Sequence, residues 1–140
     1  TGEAYGAELA ANWRVIRDWR LSASYTWFSM QLHPGQAVSQ AESDETGSPR
    51  HQFQVHSYLD LPLHLQLDAG VYYVDNIALR QVPSYVRLDL RLGWRPRENL
   101  EFSIAAQNVL DDRHVEFGSG NLFTATEVER SIYGKVTWRF

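Results

Sequence analysis

Ser131-Ile132-Tyr133-Gly134-Lys135-Val136-Thr137-Trp138-Arg139-Phe140 ends the sequence. Counting back from Phe140, every second residue is compatible with lipid: Phe140, Trp138, Val136, Gly134 and Ile132. Between them stand Arg139, Thr137, Lys135, Tyr133 and Ser131, all polar or amphipathic. Strict alternation reads as a strand with one apolar and one wet face. A strand that stops on an aromatic residue with no polar tail is unusual for a soluble protein.

The same period of two recurs upstream and divides the chain into about seven segments. Tyr5 to Trp13 carries Tyr5, Ala7, Leu9, Ala11 and Trp13 on one face, and Trp19 to Met30 carries Leu21, Ala23, Tyr25 and Trp27. His51 to Leu61 carries Phe53, Val55, Leu59 and Leu61, and Leu63 to Tyr73 carries Leu63, Leu65, Leu67, Ala69, Val71 and Tyr73. Tyr85 to Trp94 carries Val86, Leu88, Leu90, Leu92 and Trp94, and Leu100 to Asn108 carries Leu100, Phe102, Ile104 and Ala106. The closing strand is the seventh. Helical periodicity is absent. Short connections at Ile16-Arg17-Asp18, at Pro62 and at Arg95 to Asn99 alternate with longer polar ones at His33 to Arg50, Asp75 to Pro83 and Leu110 to Thr126. All five prolines fall in turns or at strand starts, where a missing ladder donor costs little. Short turns at one end and long loops at the other are the pattern of an antiparallel, up-and-down transmembrane β-barrel of the outer membrane. The fold class expected is therefore all-β, a segment of about seven strands in a larger barrel.

The aromatic residues support that expectation. Trp13, Trp19, Trp94 and Trp138 map to the short-turn end, and Tyr5, Trp27, Phe53, Tyr73 and Tyr85 to the long-loop end. Two aromatic belts result, as expected where amphipathic rings sit at two headgroup layers. The nine steps from Tyr85 to Trp94, at ~3.3 Å each and ~40° tilt, span roughly 23 Å, close to the ~25 Å apolar band of such barrels. The alternative, core aromatics of a soluble sandwich, would gather the rings centrally instead of in two rims.

The opposite face is polar: Gln52, Gln54, His56, Asp60, His64, Gln66, Asp68, Arg87, Asp89, Arg91, Glu101, Ser103 and Gln107. It is either a solvated surface or the lining of a lumen. If Gly93 pairs with Glu101, Arg91 lies diagonal to Glu101, within reach of an ion-pair ladder. Composition excludes other classes. The net charge of −4 argues against a nucleic-acid partner, whose footprint is basic and clustered. Without cysteine there is no disulfide framework and no thiolate metal site. No run approaches the ~18 apolar residues of a membrane helix. A low mean hydropathy does not count against a barrel, because only half of each strand faces lipid.

Bacterial single-chain barrels have an even number of strands and both ends in the periplasm. Seven strands leave the first residue on the outer side, and Thr1-Gly2-Glu3-Ala4-Tyr5 does not read as a signal peptide. The expectation is that residues 1–140 are the C-terminal part of the transmembrane barrel domain of a longer protein. Four stretches then resemble the C-terminal barrel of TonB-dependent outer-membrane receptors of the siderophore and iron-complex type. They are Ala11-Asn12-Trp13-Arg14 with Leu21 to Thr26, Val82 to Pro96 with its Asp/Arg wet face, Leu100 to Ile104 leading into Gln107-Asn108-Val109-Leu110-Asp111, and Arg130 to Phe140. The resemblance covers nearly the whole chain. It implies a 22-stranded barrel with a plug in its lumen, of which this is about the last third, the plug lying outside these residues. It implies outer-membrane lipid as surroundings and energised import of an iron-siderophore-like ligand. It further implies contact with the TonB complex through an absent N-terminal region. Barrels of this kind end in an aromatic residue read by the barrel assembly machinery, so Ile132, Gly134, Val136, Trp138 and Phe140 form the expected assembly signal, and deleting Phe140 is expected to harm assembly more than deleting Ser119.

Candidate ligand-binding residues are few: His33, His51, Arg80 and His114 in or beside the longer loops. His56 and His64 share wet-face parity. No pair has a recognised metal-ligand spacing, and the loop carboxylates Glu42, Asp44, Glu45, Asp111, Asp112 and Glu116 are explained equally well by solubility. No cofactor, no metal and no catalytic group is expected. Three classes stay open: a TonB-dependent uptake receptor, another outer-membrane barrel such as a porin or adhesin, and a soluble ligand-binding β-barrel.

Overall fold

The computed structural model describes residues 2–32, 46–117 and 126–140. Its strands are β1 (Gly2–Ile16), β2 (Trp19–Leu32), β3 (His51–Leu61), β4 (Leu65–Val74), β5 (Tyr85–Arg97), β6 (Leu100–Gln107), β7 (Arg113–Phe117), β8 (Thr126–Glu129) and β9 (Ser131–Trp138). Seven form one sheet in the order β1-β2-β3-β4-β5-β6-β9, and β7 and β8 form a separate hairpin. Every pairing is antiparallel between neighbours. This up-and-down path is what short turns between period-two segments produce. As it stands the sheet is open, with free edges at β1 and β9.

Several boundaries differ from expectation. β1 and β2 extend beyond Tyr5–Trp13 and Trp19–Met30, because each provides the other's ladder from Gly2↔Leu32 to Ile16↔Trp19. β4 begins at Leu65 and not at Leu63. Pro62–His64 makes a single 3-10 turn in which Leu63 and His64 both have positive φ, 64° and 59°. A tight reversal demands this backbone although neither residue is glycine, at a cost of ~1–2 kcal/mol each. His64 therefore belongs to a turn and not to the wet face of a strand. The stretch 110–126 is not simply a loop, since it contributes β7 and the start of β8. The last strand stops at Trp138, because beyond its partner Leu100 only the Asn99 carbonyl is left to accept the Arg139 N–H, at 2.9 Å. Phe140 projects fully exposed.

The connection 75–83 is also ordered by its own contacts. It holds a 3-10 turn at Ala78–Arg80 and an isolated bridge between Ile77 and Val82. Val82 is 2% exposed, and it and Ala105 are the buried apolar residues among those described. Leu9, Trp13, Ile104, Val136 and Trp138 are all more than half exposed. Covering one such side chain is worth ~1.5–3 kcal/mol, so a whole face of them left in water would outweigh the ~5–15 kcal/mol that hold a folded domain together. Among the described residues nothing covers this apolar face, so the described strands do not close into a sandwich core of their own.

Candidate functional site

Register separates the two faces through most of the sheet, with Ser57 and His51 among the departures on the apolar side. The row Leu9, Tyr25, Phe53, Tyr73, Val86 is apolar or aromatic throughout, as is Trp19, Leu59, Leu67, Leu92, Ile104, Gly134. On the reverse, Ser24, Gln54, Tyr72, Arg87 and Ser22, His56, Gly70, Asp89 form polar rows. Direct cross-strand partners share a face, so one side is predominantly apolar and the other predominantly wet.

The apolar face positions most of the expected belt residues. At the loop end, Phe53 and Tyr73 share a row, Trp27 stands one residue pair further out, and Tyr5, opposite Ser29, one further again. At the turn end, Trp13, Trp19, Trp94 and Trp138 step in the same direction: each lies one residue pair beyond the row of the one before. Tyr5 to Trp13 and Trp19 to Trp27 are each eight steps. Trp19 donates its indole N–H to Ser57 at 2.9 Å, and Trp94 stacks on Phe102 at 5.9 Å between centroids. Tyr85 departs from expectation. It shares the wet face with Arg87, Asp89 and Arg91, so the apolar span of β5 is Val86 to Trp94, eight steps. That is roughly 20 Å of membrane depth at ~3.3 Å per step and ~40° tilt.

The wet face carries two ion-pair clusters. In the first, Arg91 joins Asp68 on β4, at 2.8 Å, to Glu101 on β6, and Arg95 also reaches Glu101, at 3.1 Å. The expected Gly93–Glu101 register is wrong by one residue pair: Gly93 pairs with Ser103 and Arg91 with Ala105. The offset follows from the irregularity between Trp94 and Arg97, which the turn spacing does not reveal. Arg91 nevertheless reaches Glu101 by lying over Gly93. A Cβ there would meet the Arg91 guanidinium at 2.9 Å, so the missing side chain makes room for the bridge.

The second cluster ties the loop end together. Arg87 clamps Asp89 with Nε and Nη2, the latter at 2.6 Å, reaches Glu116 on β7 at 3.5 Å, and stands 5.2 Å over the Tyr72 ring. The Asp89 carboxylate accepts the backbone N–H of Asn108 at 3.1 Å. Asn108 is fully buried with φ 53°, a conformation asparagine adopts more readily than most residues. Its amide donates to the Val128 carbonyl at 3.0 Å, while Val109 N–H donates to Leu88 O at 2.9 Å. Asn108 thus turns the β6 chain out of the sheet and into the β7–β8 hairpin. His114 of that hairpin stacks on Tyr85, 4.3 Å between centroids, and donates Nε2–H to Glu116 at 3.0 Å. Its Nδ1 is buried and has no hydrogen-bond partner among the described residues.

The described candidates for ligand binding stand in different settings. His51 lies on the apolar face, hydrogen-bonded to Tyr25 at 2.8 Å. Arg80 closes the 3-10 turn of the 75–83 connection. His114 alone joins a polar cluster, and His33, like Glu42, Asp44 and Glu45, lies outside the described residues. Among the described residues no group of three His, Asp or Glu side chains is arranged to hold a metal ion. Tyr72, Tyr85 and Asn108 also belong to this cluster, which alternation alone did not indicate. The parity of Tyr85, out of step with Val86 and in step with Arg87, was the available signal.

Comparison with known proteins agrees with this two-faced sheet. The family model described as TonB dependent receptor-like, beta-barrel matches residues 1–109. The ferrioxamine B receptor of Salmonella typhimurium is 26% identical over 151 residues, covering 99% of this chain and 21% of its own length. The probable TonB-dependent siderophore receptor PiuA of Acinetobacter baumannii is 26% identical over 152 residues, covering 96% of this chain and 20% of its own. Among solved structures, that of the Acinetobacter baumannii siderophore receptor PiuA superimposes with a TM-score of 0.75 at 24% identity, over 97% of this chain and 22% of that one. The ferripyoverdine receptor of Pseudomonas aeruginosa, bound to ferripyoverdine, gives 0.75 at 19% identity, over 98% and 19%. The chain spans about a fifth of the length of the curated relatives it matches.

Proposed function

This chain belongs to the TonB-dependent receptor-like β-barrel family, whose siderophore receptors are outer-membrane proteins, and from that membership we propose that residues 1–140 form the C-terminal part of the transmembrane barrel domain of a receptor importing an iron-siderophore or a similar scarce nutrient. The plug domain and the contact with the TonB complex belong to the part of the protein outside these residues. The observation that carries this is the family match over residues 1–109, joined to a sheet with one predominantly apolar face and one ion-paired face. The apolar face meets outer-membrane lipid, with Tyr5, Trp27, Phe53 and Tyr73 at the outer headgroups and Trp13, Trp19, Trp94 and Trp138 at the periplasmic ones. The wet face looks into the lumen. The closing residues Ile132, Gly134, Val136, Trp138 and Phe140 address the barrel assembly machinery. The relatives are transport receptors by name, and transport is the role that this membership supports. Of the described candidate ligand residues, His114 joins a polar cluster, on the outer hairpin beside Tyr85 and Arg87.

The test is uptake of iron-loaded siderophores by cells expressing the full-length protein. Saturable uptake that disappears when TonB is inactivated is the expected result. Non-saturable permeation indifferent to TonB would overturn it in favour of a porin.

A further inference from the structure

Three hairpins close at the turn end of the sheet, and each closing pair lies on the apolar face. Ile16 stands opposite Trp19 and Leu61 opposite Leu65. The third pair is Arg97 and Leu100. Plain alternation from Trp94 would put Arg97 on the wet face with Arg95. The irregularity between Trp94 and Arg97 instead sets three steps of β5 against the two steps of β6 from Phe102 to Leu100, which turns Arg97 to the side of Leu100. Leu100 in turn pairs with Trp138, so Arg97, Leu100 and Trp138 form one row. Trp94, stacked on Phe102, stands in the row above. Arg97 is exposed, and no carboxylate among the described residues lies within ion-pair distance of it. A strand added at the free edge of β9 would lie three spacings, roughly 14 Å, from β5, with Leu100 and Trp138 between. The Pro62–His64 turn on the other side offers no acidic side chain.

We propose that Arg97 holds the phosphate of an anionic phospholipid in the periplasmic leaflet, the glycerol and upper chains of that lipid lying over Leu100 between Trp94 and Trp138. Depth selects the layer. The row of Arg97 contains Trp138, and ring belts of this kind mark the headgroups, so the guanidinium stands at the level of lipid phosphates and clear of hydrocarbon. A cation on the lipid face of a barrel costs little at that depth. Charge selects the ligand. A guanidinium is weakly hydrated and presents a planar fork of N–H donors matched to phosphate oxygens. A zwitterionic lipid carries its own cation beside the phosphate and leaves less charge for Arg97 to meet. The apolar chains satisfy the rest of the surface, which is continuous with the face already assigned to lipid. The inference rests on that assignment and not on the nature of the imported ligand.

The experiment titrates the full-length protein, purified in detergent, with dioleoyl-phosphatidylglycerol and with dioleoyl-phosphatidylcholine, and reads the retained lipid by native mass spectrometry. The wild type should retain phosphatidylglycerol in preference. Arg97→Gln should weaken that retention about fivefold, the effect of one basic side chain at an anionic membrane surface, and leave phosphatidylcholine unchanged. Arg97→Lys should keep most of the preference. Equal retention of the two lipids by the wild type overturns the proposal without recourse to any variant. An equal loss in Arg17→Gln, in the exposed β1–β2 turn, also overturns it, because the general charge of the turn end would then explain the binding. Excess inorganic phosphate should leave the lipid in place, and displacement would replace the lipid seat with a free-anion site. The assay does not depend on transport. Lipid retention that requires Arg97 in a protein without TonB-dependent uptake would support the seat and overturn the receptor reading alone.

Discussion

The two halves of the wet face are built on different terms. Across β4, β5 and β6 the charges are mutually satisfied: Asp68, Arg91, Glu101 and Arg95 form one network, and Arg87, Asp89 and Glu116 another. Across β1 and β2 the strands are longer and the ladder more extensive, yet Arg14 faces Arg20 and the polar contacts are neutral ones, such as Gln54 to Ser24 at 2.7 Å. Ladder length and charge matching are therefore independent. The β4–β6 half is electrostatically complete within the chain. The β1–β2 half is complete only as a backbone.

Substitutions in the full-length protein can break this contrast, and the largest effect belongs to Asn108. Replacing it with Val places a β-branched residue at φ 53° and removes the amide bond to Val128, a loss of about 3 kcal/mol. Protease should then nick the β7–β8 hairpin first, while Asn108→Gly retains most of the protection; equal resistance of wild type and Asn108→Val would show that the turn does not hold the hairpin. Next comes Arg91→Ala, which leaves Asp68 and Glu101 without their shared cation and should cost about 1–2 kcal/mol after allowing for their partial exposure. A double-mutant cycle with Glu101→Gln reads the coupling directly, and Gly93→Val should reproduce much of the loss by displacing the guanidinium. Glu116→Gln is smaller, about 1 kcal/mol or less, and should accelerate amide exchange in β7 without changing β4 or β5. Least of all is Gln54→Ala in the neutral half, within about 0.5 kcal/mol in denaturant unfolding. If it matched Arg91→Ala, the two halves would not differ as described.

Much of this was legible in the sequence because a half-buried strand writes its facing into alternate residues. His51 to Leu61 matched β3 at both ends, and the face assignment of Leu21, Val55, Leu90 and Ile104 needed only parity. What escaped has physical causes. The turn at Leu63 and His64 uses left-handed backbone without the glycine that would announce it. The Gly93 register depends on an irregularity near Pro96 that alternation cannot locate. β7 is five residues long, too short for a periodic signal, and its attachment depends on Asn108 and Asp89, which are 19 residues apart. Proximity to a loop also says nothing about which face a strand's first residue takes, and His51 takes the apolar one.

The stagger of the tryptophans has a geometric consequence. The row of Trp13 crosses β6 at Ala106, and Trp138 pairs with Leu100, so the turn-end aromatics descend 106 − 100 = 6 residues over the six strand spacings from β1 to β9. At ~3.3 Å per residue and ~4.8 Å per spacing, the slope corresponds to roughly 35°, within the tilt range of membrane barrels. The rings therefore work as a vernier. Slipping one strand by one residue pair would move its tryptophan ~6.6 Å along the strand, out of line with its neighbours and into hydrocarbon or water, so a misregistered sheet exposes its own error at the surface of the bilayer.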